Sequence, residues 1–306
     1  MKKLFIPIIV MAALLTTACG HRNNSGSATD TDSVATDTAA ALTIDSVGLS
    51  REDSIVCVSI SLDWPVSGGE ALTAAIRRYI CEELAAGLTY EGKPTVIDYR
   101  DGKTAVEATV GKQYQQLLDL WREDNSEGRP LDGMQMSYRL RVGKLEETDT
   151  YVTYYSSSEG FQGGAHGFAL GTGTTFSKSD GRRIGYKSEF NTQTEQTEMK
   201  QQTLFAKPDD PRLAKLIKEG VRSYFQEFQD STVTDAQLKD CLTGVDNIDS
   251  IPLPYNAPTF TKSGLSFVYQ QYEIAPYAAG MVSFDVAYDQ VRPLLTPEAA
   301  RLIPKK

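Results

Sequence analysis

The chain predicts an α+β fold, and three observations carry that prediction. Apolar residues recur at helical spacing in well-bounded stretches. Elsewhere they alternate with polar residues at a period of two. The two kinds of stretch are segregated along the chain instead of interleaved as regular βαβ units, which points to an antiparallel sheet packed with helices.

Taken in order, Ser54 to Leu62 alternates with Val56, Val58, Ile60 and Leu62 on one face, and predicts a strand. Ser67-Gly68-Gly69-Glu70 has the spacing of a capping box and opens a helix to about Ala86, with Leu72, Ile76, Tyr79, Ile80 and Leu84 as its stripe. A second helix covers about Thr104 to Arg122, with Tyr114, Leu117, Leu118 and Trp121 at i, i+3, i+4 and i+7. After Asp132-Gly133 the period changes to two through Met134, Met136, Tyr138, Leu140 and Val142. Tyr151 to Ser156 is its expected hairpin partner. Phe168 to Phe176 makes a further strand, and Asp180-Gly181 turns the chain back toward Arg182 to Tyr186. Asp210 and Pro211 open a strongly amphipathic helix with Leu213, Leu216, Ile217, Val221, Tyr224, Phe225 and Phe228 on one side. Thr234 to Gln237 caps a short helix that ends near Leu242. Two late strands, Leu265 to Tyr272 and Met281 to Ala287, precede a helix begun by Thr296-Pro297.

The first 18 residues read as an export signal. Lys2 and Lys3 precede an apolar run from Leu4 to Leu15, too short to span a bilayer as a mature helix, and Thr16-Thr17-Ala18 leads into Cys19. Cys19 is the expected lipidation site, although a threonine stands three residues before it where leucine is usual. Residues 19–42 are rich in Ser, Thr, Asp, Ala and Gly and predict a disordered tether that holds the body off a membrane. No compact acidic block follows Cys19, which favours the periplasmic side of the outer membrane. The body then divides into an N-terminal α+β domain over 43–130 and a C-terminal α+β domain over 131–306.

Removal of the signal takes away two lysines and moves the formal charge from −9 to −11. An acidic chain without basic runs excludes nucleic acid as a partner class, because phosphate binding needs clustered Lys and Arg. It favours a cationic partner electrostatically. Cys57, Cys81 and Cys241 remain in the body. In an oxidising compartment one pair can bridge and leave one thiol over, or all three can stay reduced and buried.

Several chemistries lack their motifs. There is no His-Glu-x-x-His, no Gly-x-Ser-x-Gly, no Ser-x-x-Lys and no Walker loop. Gly171-Thr172-Gly173 lacks the third glycine of a dinucleotide fingerprint and reads as sheet. With His21 in the tether, His166 is the one histidine of the body, so neither a multi-histidine metal site nor any cofactor is expected. His166 sits in Gly163-Gly164-Ala165-His166-Gly167, where the glycines allow positive φ and close backbone approach. It is read either as a histidine that fixes a tight loop or as one that faces a ligand. A second constellation is Tyr272-Glu273-Ile274-Ala275-Pro276-Tyr277, in which Pro276 ends a strand and the tyrosines offer apolar area plus hydroxyls. Here too a strand-end corner packed on the core is the alternative. Glu159 and Glu273 are read as a carboxylate pair, and a carboxylate such as Glu273 is the acid–base partner expected for His166.

Tyr154-Tyr155, the Gly163 to Gly167 loop, Asp180-Gly181-Arg182, Phe190 and Tyr272 to Gly280 together resemble the RsiV-like extracytoplasmic domain family. This domain of unknown function is shared by the anti-sigma-V factor RsiV and by the region in front of the catalytic domain of PdaC-type peptidoglycan deacetylases. The resemblance spans about Met134 to Leu295, and the stretch from about Thr43 resembles the partner domain that precedes it. It implies a two-part α+β module without established catalysis, and in the RsiV branch direct binding of lysozyme. This chain has neither the sigma-binding segment of the one architecture nor the deacetylase domain of the other. The expected function is therefore a lipid-anchored, non-enzymatic envelope module that recognises a protein or glycan. The expected binding residues are Gly163, Gly164, His166, Gly167, Tyr272, Glu273, Pro276 and Tyr277. The alternative is an envelope hydrolase acting on peptidoglycan or peptide through His166 and a carboxylate.

Overall fold

A computed structural model describes residues 41–88, 99–126, 134–191 and 196–303. The signal, Cys19, the tether as far as residue 40 and the Asp132-Gly133 turn lie outside the described residues. The fold is α+β, as predicted. Strand β1 (Thr43–Glu52) and strand β2 (Val56–Ser67) form an antiparallel hairpin. Asp53 fixes its turn, because one carboxylate oxygen accepts from the backbone N–H groups of Ile55 and Val56, both at 2.8 Å. Helices α1 (Glu70–Gly87) and α2 (Gly102–Ser126) follow, and the chain returns as β3 (Met136–Glu147), parallel to β2. Strands β4 (Tyr151–Phe161) and β5 (Phe168–Ser177) complete an antiparallel meander. The sheet order is β1-β2-β3-β4-β5.

The alternation that predicted β2 puts Val56, Val58, Ile60 and Leu62 in a core with Leu72, Ile76, Ile80 and Leu84 of α1 and Val106, Val110 and Leu117 of α2. Each such side chain, fully buried, contributes about 1.5–3 kcal/mol. The second core gathers around α3 (Pro211–Gln229) and a small sheet ordered β10-β9-β8. Its strands are β8 (Thr259–Phe260), β9 (Gly264–Tyr269) and β10 (Val282–Ala287). A separate hairpin pairs β6 (Tyr186–Asn191) with β7 (Gln196–Gln201). Short helices α4 (Asp235–Cys241), α5 (Tyr288–Val291) and α6 (Pro297–Ala300) close the remainder. Strand β4 serves both cores through its period of two. Val152 and Tyr154 face the first, whereas Tyr151 joins the second and the Thr153 hydroxyl donates to the Phe260 carbonyl at 2.8 Å.

The structure corrects several expectations. Ser67 stays in β2 and makes no capping box; Gly69 is the N-cap of α1 without a side-chain bond, since the chain turns sharply at Gly68, whose φ is +146°. The main sheet is mixed, because the α1–α2 crossover brings β3 in parallel to β2. It also runs across residue 130, from β2 to β3. Leu42, assigned to the tether, is buried and donates its N–H to Glu147 at 3.0 Å. The return over 182–186 is only a bridge between Phe176 and Arg183, and the strand from Leu265 ends at Tyr269. Met134 and Phe228 are exposed. Of the two cysteine alternatives the one without a bridge holds, since no disulfide joins Cys57, Cys81 and Cys241. The caps at Asp210, Thr234 and Thr296 form as expected.

Candidate functional site

The β4–β5 loop and the segment after β9 meet. Gly163 and Gly164 hold φ of +92° and +83°, the left-handed region that favours glycine, and turn the loop over so that His166 points across to the other segment. The imidazole Nδ1 lies 2.8 Å from the Gly167 carbonyl oxygen and Nε2 lies 3.1 Å from the Tyr272 hydroxyl. A carbonyl only accepts, so Nδ1 carries the hydrogen, and in the neutral ring Nε2 accepts from the Tyr272 O–H. The imidazole also stacks on the Tyr277 ring, with centroids 3.9 Å apart and planes 24° apart. Tyr272 and Tyr277 are 5.8 Å apart, which closes a three-ring cluster.

The cluster is presented to solvent. His166 is exposed and Tyr272 is 61% exposed, with φ of +68°. A bulky residue in that region is uncommon and strained. Pro276 is exposed and precedes the 3-10 turn Tyr277–Ala279, which the Tyr224 hydroxyl anchors by donating to the Ala279 carbonyl. Glu273 has a different task. Its Oε1 accepts from the Tyr255 N–H at 2.6 Å and its Oε2 from the Gln270 N–H at 2.8 Å, so it staples the turn. Glu159 pairs with Arg139 at 3.1 Å. Glu273, the carboxylate expected to work with His166, and Glu159, read as its carboxylate partner, are thus engaged elsewhere.

Beside the cluster a cleft of about 540 Å³ opens between the end of α1 and the face of β3, β4 and β5. Glu83, Tyr138 and Ser156 lie among its lining residues, with Phe168, Leu170 and Gln270. The Gln270 side-chain amide accepts from the Gly171 N–H at 3.1 Å and donates to the Gly171 carbonyl at 2.7 Å, while Gln271 accepts from the Ala169 N–H at 3.0 Å. The segment that carries Tyr272 is thereby clamped to the edge of β5. Glu83 accepts from the Ser156 hydroxyl at 2.7 Å. Burial pushes its carboxyl above the usual range, against the opposing pull of Ser156 and Arg183. Burial and the Glu83 charge likewise push the Tyr138 phenol up. Gly87 permits this packing, since a Cβ there would lie 2.7 Å from the Tyr138 Cζ.

Sequence reasoning singled out the two halves of the ring cluster and missed Glu83. The signal was present: Glu83 falls four residues after Tyr79 and three after Ile80, on the apolar stripe of α1. Among the described residues no group of three or more His, Cys, Asp or Glu is arranged to hold a metal ion, and no helix is long and apolar enough to cross a membrane.

This architecture, a mixed sheet layered with helices and joined to a smaller second sheet, is shared with solved proteins. Residues 202–289 match the family described as protein of unknown function DUF3298. That stretch contains Tyr272 to Gly280 but not the His166 loop. A crystal structure of a DUF3298 family member from Bacteroides fragilis superposes with a TM-score of 0.59 at 16% identity, covering 87% of this chain and 98% of that one. One from Pseudomonas aeruginosa gives 0.51 at 13% identity, covering 86% and 98%. Both show a common fold along nearly the whole of those chains. No curated protein matches the sequence.

Proposed function

We propose that this chain is a lipid-anchored binding module of the cell envelope, held by Cys19 on the periplasmic side of the outer membrane. Its body recognises a protein or glycan ligand without turning it over. The observation that supports this most is the exposed ring cluster of His166, Tyr272 and Tyr277 beside a cleft lined by hydroxyls and amides. Aromatic faces next to neutral polar groups suit both the apolar faces of sugars and the side chains of a protein surface. The Gly-rich loop and the Gln270 and Gln271 clamps hold these groups before any ligand arrives, which reduces the ordering cost of binding.

Calorimetry of the chain carrying Cys19→Ser against c-type lysozyme and against peptidoglycan fragments tests the reading. Saturable binding to one of them, weakened by about 1 kcal/mol or more in Tyr277→Ala and retained in Tyr277→Phe, is the expected result. Silence toward both, or binding indifferent to Tyr277→Ala, removes the ring cluster as a recognition surface. Turnover of either ligand that disappears in His166→Ala would replace a binding module with a hydrolase.

A further inference from the structure

Glu83 is the one side chain with a formal charge among the described residues lining the cleft. The groups around it explain why that charge is left for something else to meet. On its own helix, Glu82 takes the Arg183 guanidinium in an ion pair of 2.6 Å, and Tyr79 lies under the same guanidinium, whose carbon is 5.1 Å from the ring centroid. From β3 it is faced by the Tyr138 phenol and from β4 by the Ser156 hydroxyl, its donor at 2.7 Å. Arg183, whose charge acts on Glu83, is thus ion-paired with Glu82, and the hydrogen bond that Glu83 accepts comes from a neutral hydroxyl. A carboxyl so placed either stays protonated or acquires a cation from outside.

The rest of the lining suits a cation on an apolar stem. Tyr138 and Phe168 stand with ring centroids 6.3 Å apart, next to Leu140, while Ser158 and Thr172 add hydroxyls. Aromatic faces and aliphatic walls accept the methylenes of lysine or arginine while the charged head reaches a carboxylate. Anionic ligands find no cation among the described lining residues, and the chain as a whole carries a formal charge of −9, which attracts basic partners.

We propose that the cleft receives a basic side chain, lysine or arginine, from a partner protein, with its cationic head on Glu83. This rests on the reading that this face of the molecule takes a ligand, and names the chemistry it selects. The ammonium enters charged, Glu83 gives up its carboxyl proton to solvent, and the carboxylate forms the ion pair, so one proton is released wherever Glu83 was protonated beforehand. A neutral glycan in the same cleft would use its hydroxyls and amides and would be insensitive to the loss of this one charge.

The test uses the chain with Cys19→Ser and three probes: Nα-acetyl-lysine methylamide, its neutral norleucine counterpart, and chitotriose. Amide chemical shifts report binding, and calorimetry in two buffers of different ionisation enthalpy reports proton release. The expected result is saturable, weak binding of the lysine probe, at least about tenfold weaker for norleucine and at least about tenfold weaker in Glu83→Gln. Affinity rises with pH as Glu83 ionises. Leu170→Lys, at an exposed position on the cleft wall, supplies an internal ammonium and weakens the probe without touching the core, should Glu83→Gln disturb folding. Equal binding of lysine and norleucine, an unchanged affinity in both variants, or no saturable lysine binding overturns the proposal. If chitotriose binds while the lysine probe does not, the cleft is a ligand site of another specificity. If neither probe nor lysozyme binds, the function proposed above falls with it.

Discussion

Tyr272 offers the cleanest physical test of the ring cluster, because its backbone and its side chain make opposite demands. At φ of +68° an L-residue carries a left-handed penalty of about 1–2 kcal/mol, which glycine escapes. Ordinarily the comparison runs the other way, and glycine is less stable than alanine by about 0.5–1 kcal/mol through its extra freedom in the unfolded chain. Tyr272→Ala and Tyr272→Gly remove the same hydroxyl bond to His166 and the same ring contacts, so those losses cancel between them. What remains is the backbone term, and it should reverse the usual order: Tyr272→Gly more stable than Tyr272→Ala by about 1 kcal/mol. With a urea slope of about 3 kcal/mol/M, the two midpoints should differ by about 0.3 M at equal slope. Both variants should fall below the parent, Ala by about 1–2 kcal/mol, since the lost bond and ring contact are solvent-exposed. Alanine equal to or more stable than glycine at unchanged slope would refute the strained assignment, and with it the idea that the surroundings force the tyrosine into place.

Three further outcomes follow from groups around the cleft and the second core. Glu83 has a folded-state carboxyl raised above its ordinary value of 4.5, so the folded protein holds a proton that the unfolded chain has already lost. Stability then falls as pH rises through 4.5 toward the folded value. Glu83→Gln should match the parent in strong acid and melt higher at neutral pH, by about 3 °C for each tenfold ratio between the two acid constants; a pH-independent difference would be inconsistent with burial of the charge. Gly87→Ala forces a methyl against the Tyr138 phenol, costs about 1–3 kcal/mol of overpacking, recovers about 1 kcal/mol of helix propensity, and should lower the melting temperature by about 3 °C at the middle of that range. An unchanged melting temperature would mean that Tyr138 moves aside freely. Asp210 is held down to about 2 by Arg212 and by the N–H it caps, so its contribution is present above the ordinary value of 3.8 and is lost as pH falls through about 2. Asp210→Asn keeps a competent N-cap, and its small deficit in melting temperature at neutral pH should vanish in strong acid.

What was legible in the sequence was whatever is periodic or capped. The stripe Leu213, Ile217, Val221 and Phe225 and the alternation from Val56 to Leu62 report burial directly, and Asp210, Thr234 and Thr296 announce helix starts through short side-chain bonds. Strand β1 escaped because its residues are mostly exposed, so nothing selects an alternation there; its partner β2 defines it. Phe228 sits on the right stripe but beyond the reach of the sheet, at 59% exposure. The meeting of His166 with Tyr272 and Tyr277 joins positions more than a hundred residues apart, and no local pattern encodes a contact of that range. Glu83 was overlooked for a related reason: a glutamate on a helix reads as solvated until the sheet that covers it is known.

The arrangement of β5 explains how such distant residues become one surface. β5 is an edge strand of the main sheet, and an edge leaves backbone groups to satisfy. Toward its C-terminal half the second core supplies β8, whose Phe260 N–H donates to the Thr175 hydroxyl at 3.1 Å. Toward its N-terminal half no strand pairs with it among the described residues; the amides of Gln270 and Gln271 bond to Gly171 and Ala169 in its place. Side chains thus do the work of a strand, and the backbone that carries them is free to turn immediately, which is how Tyr272 comes to its left-handed conformation and its hydroxyl to His166. The same Gln270 forms part of the cleft wall. The ring cluster and the Glu83 cleft are therefore positioned by one joint between the two cores, which holds their parts in register.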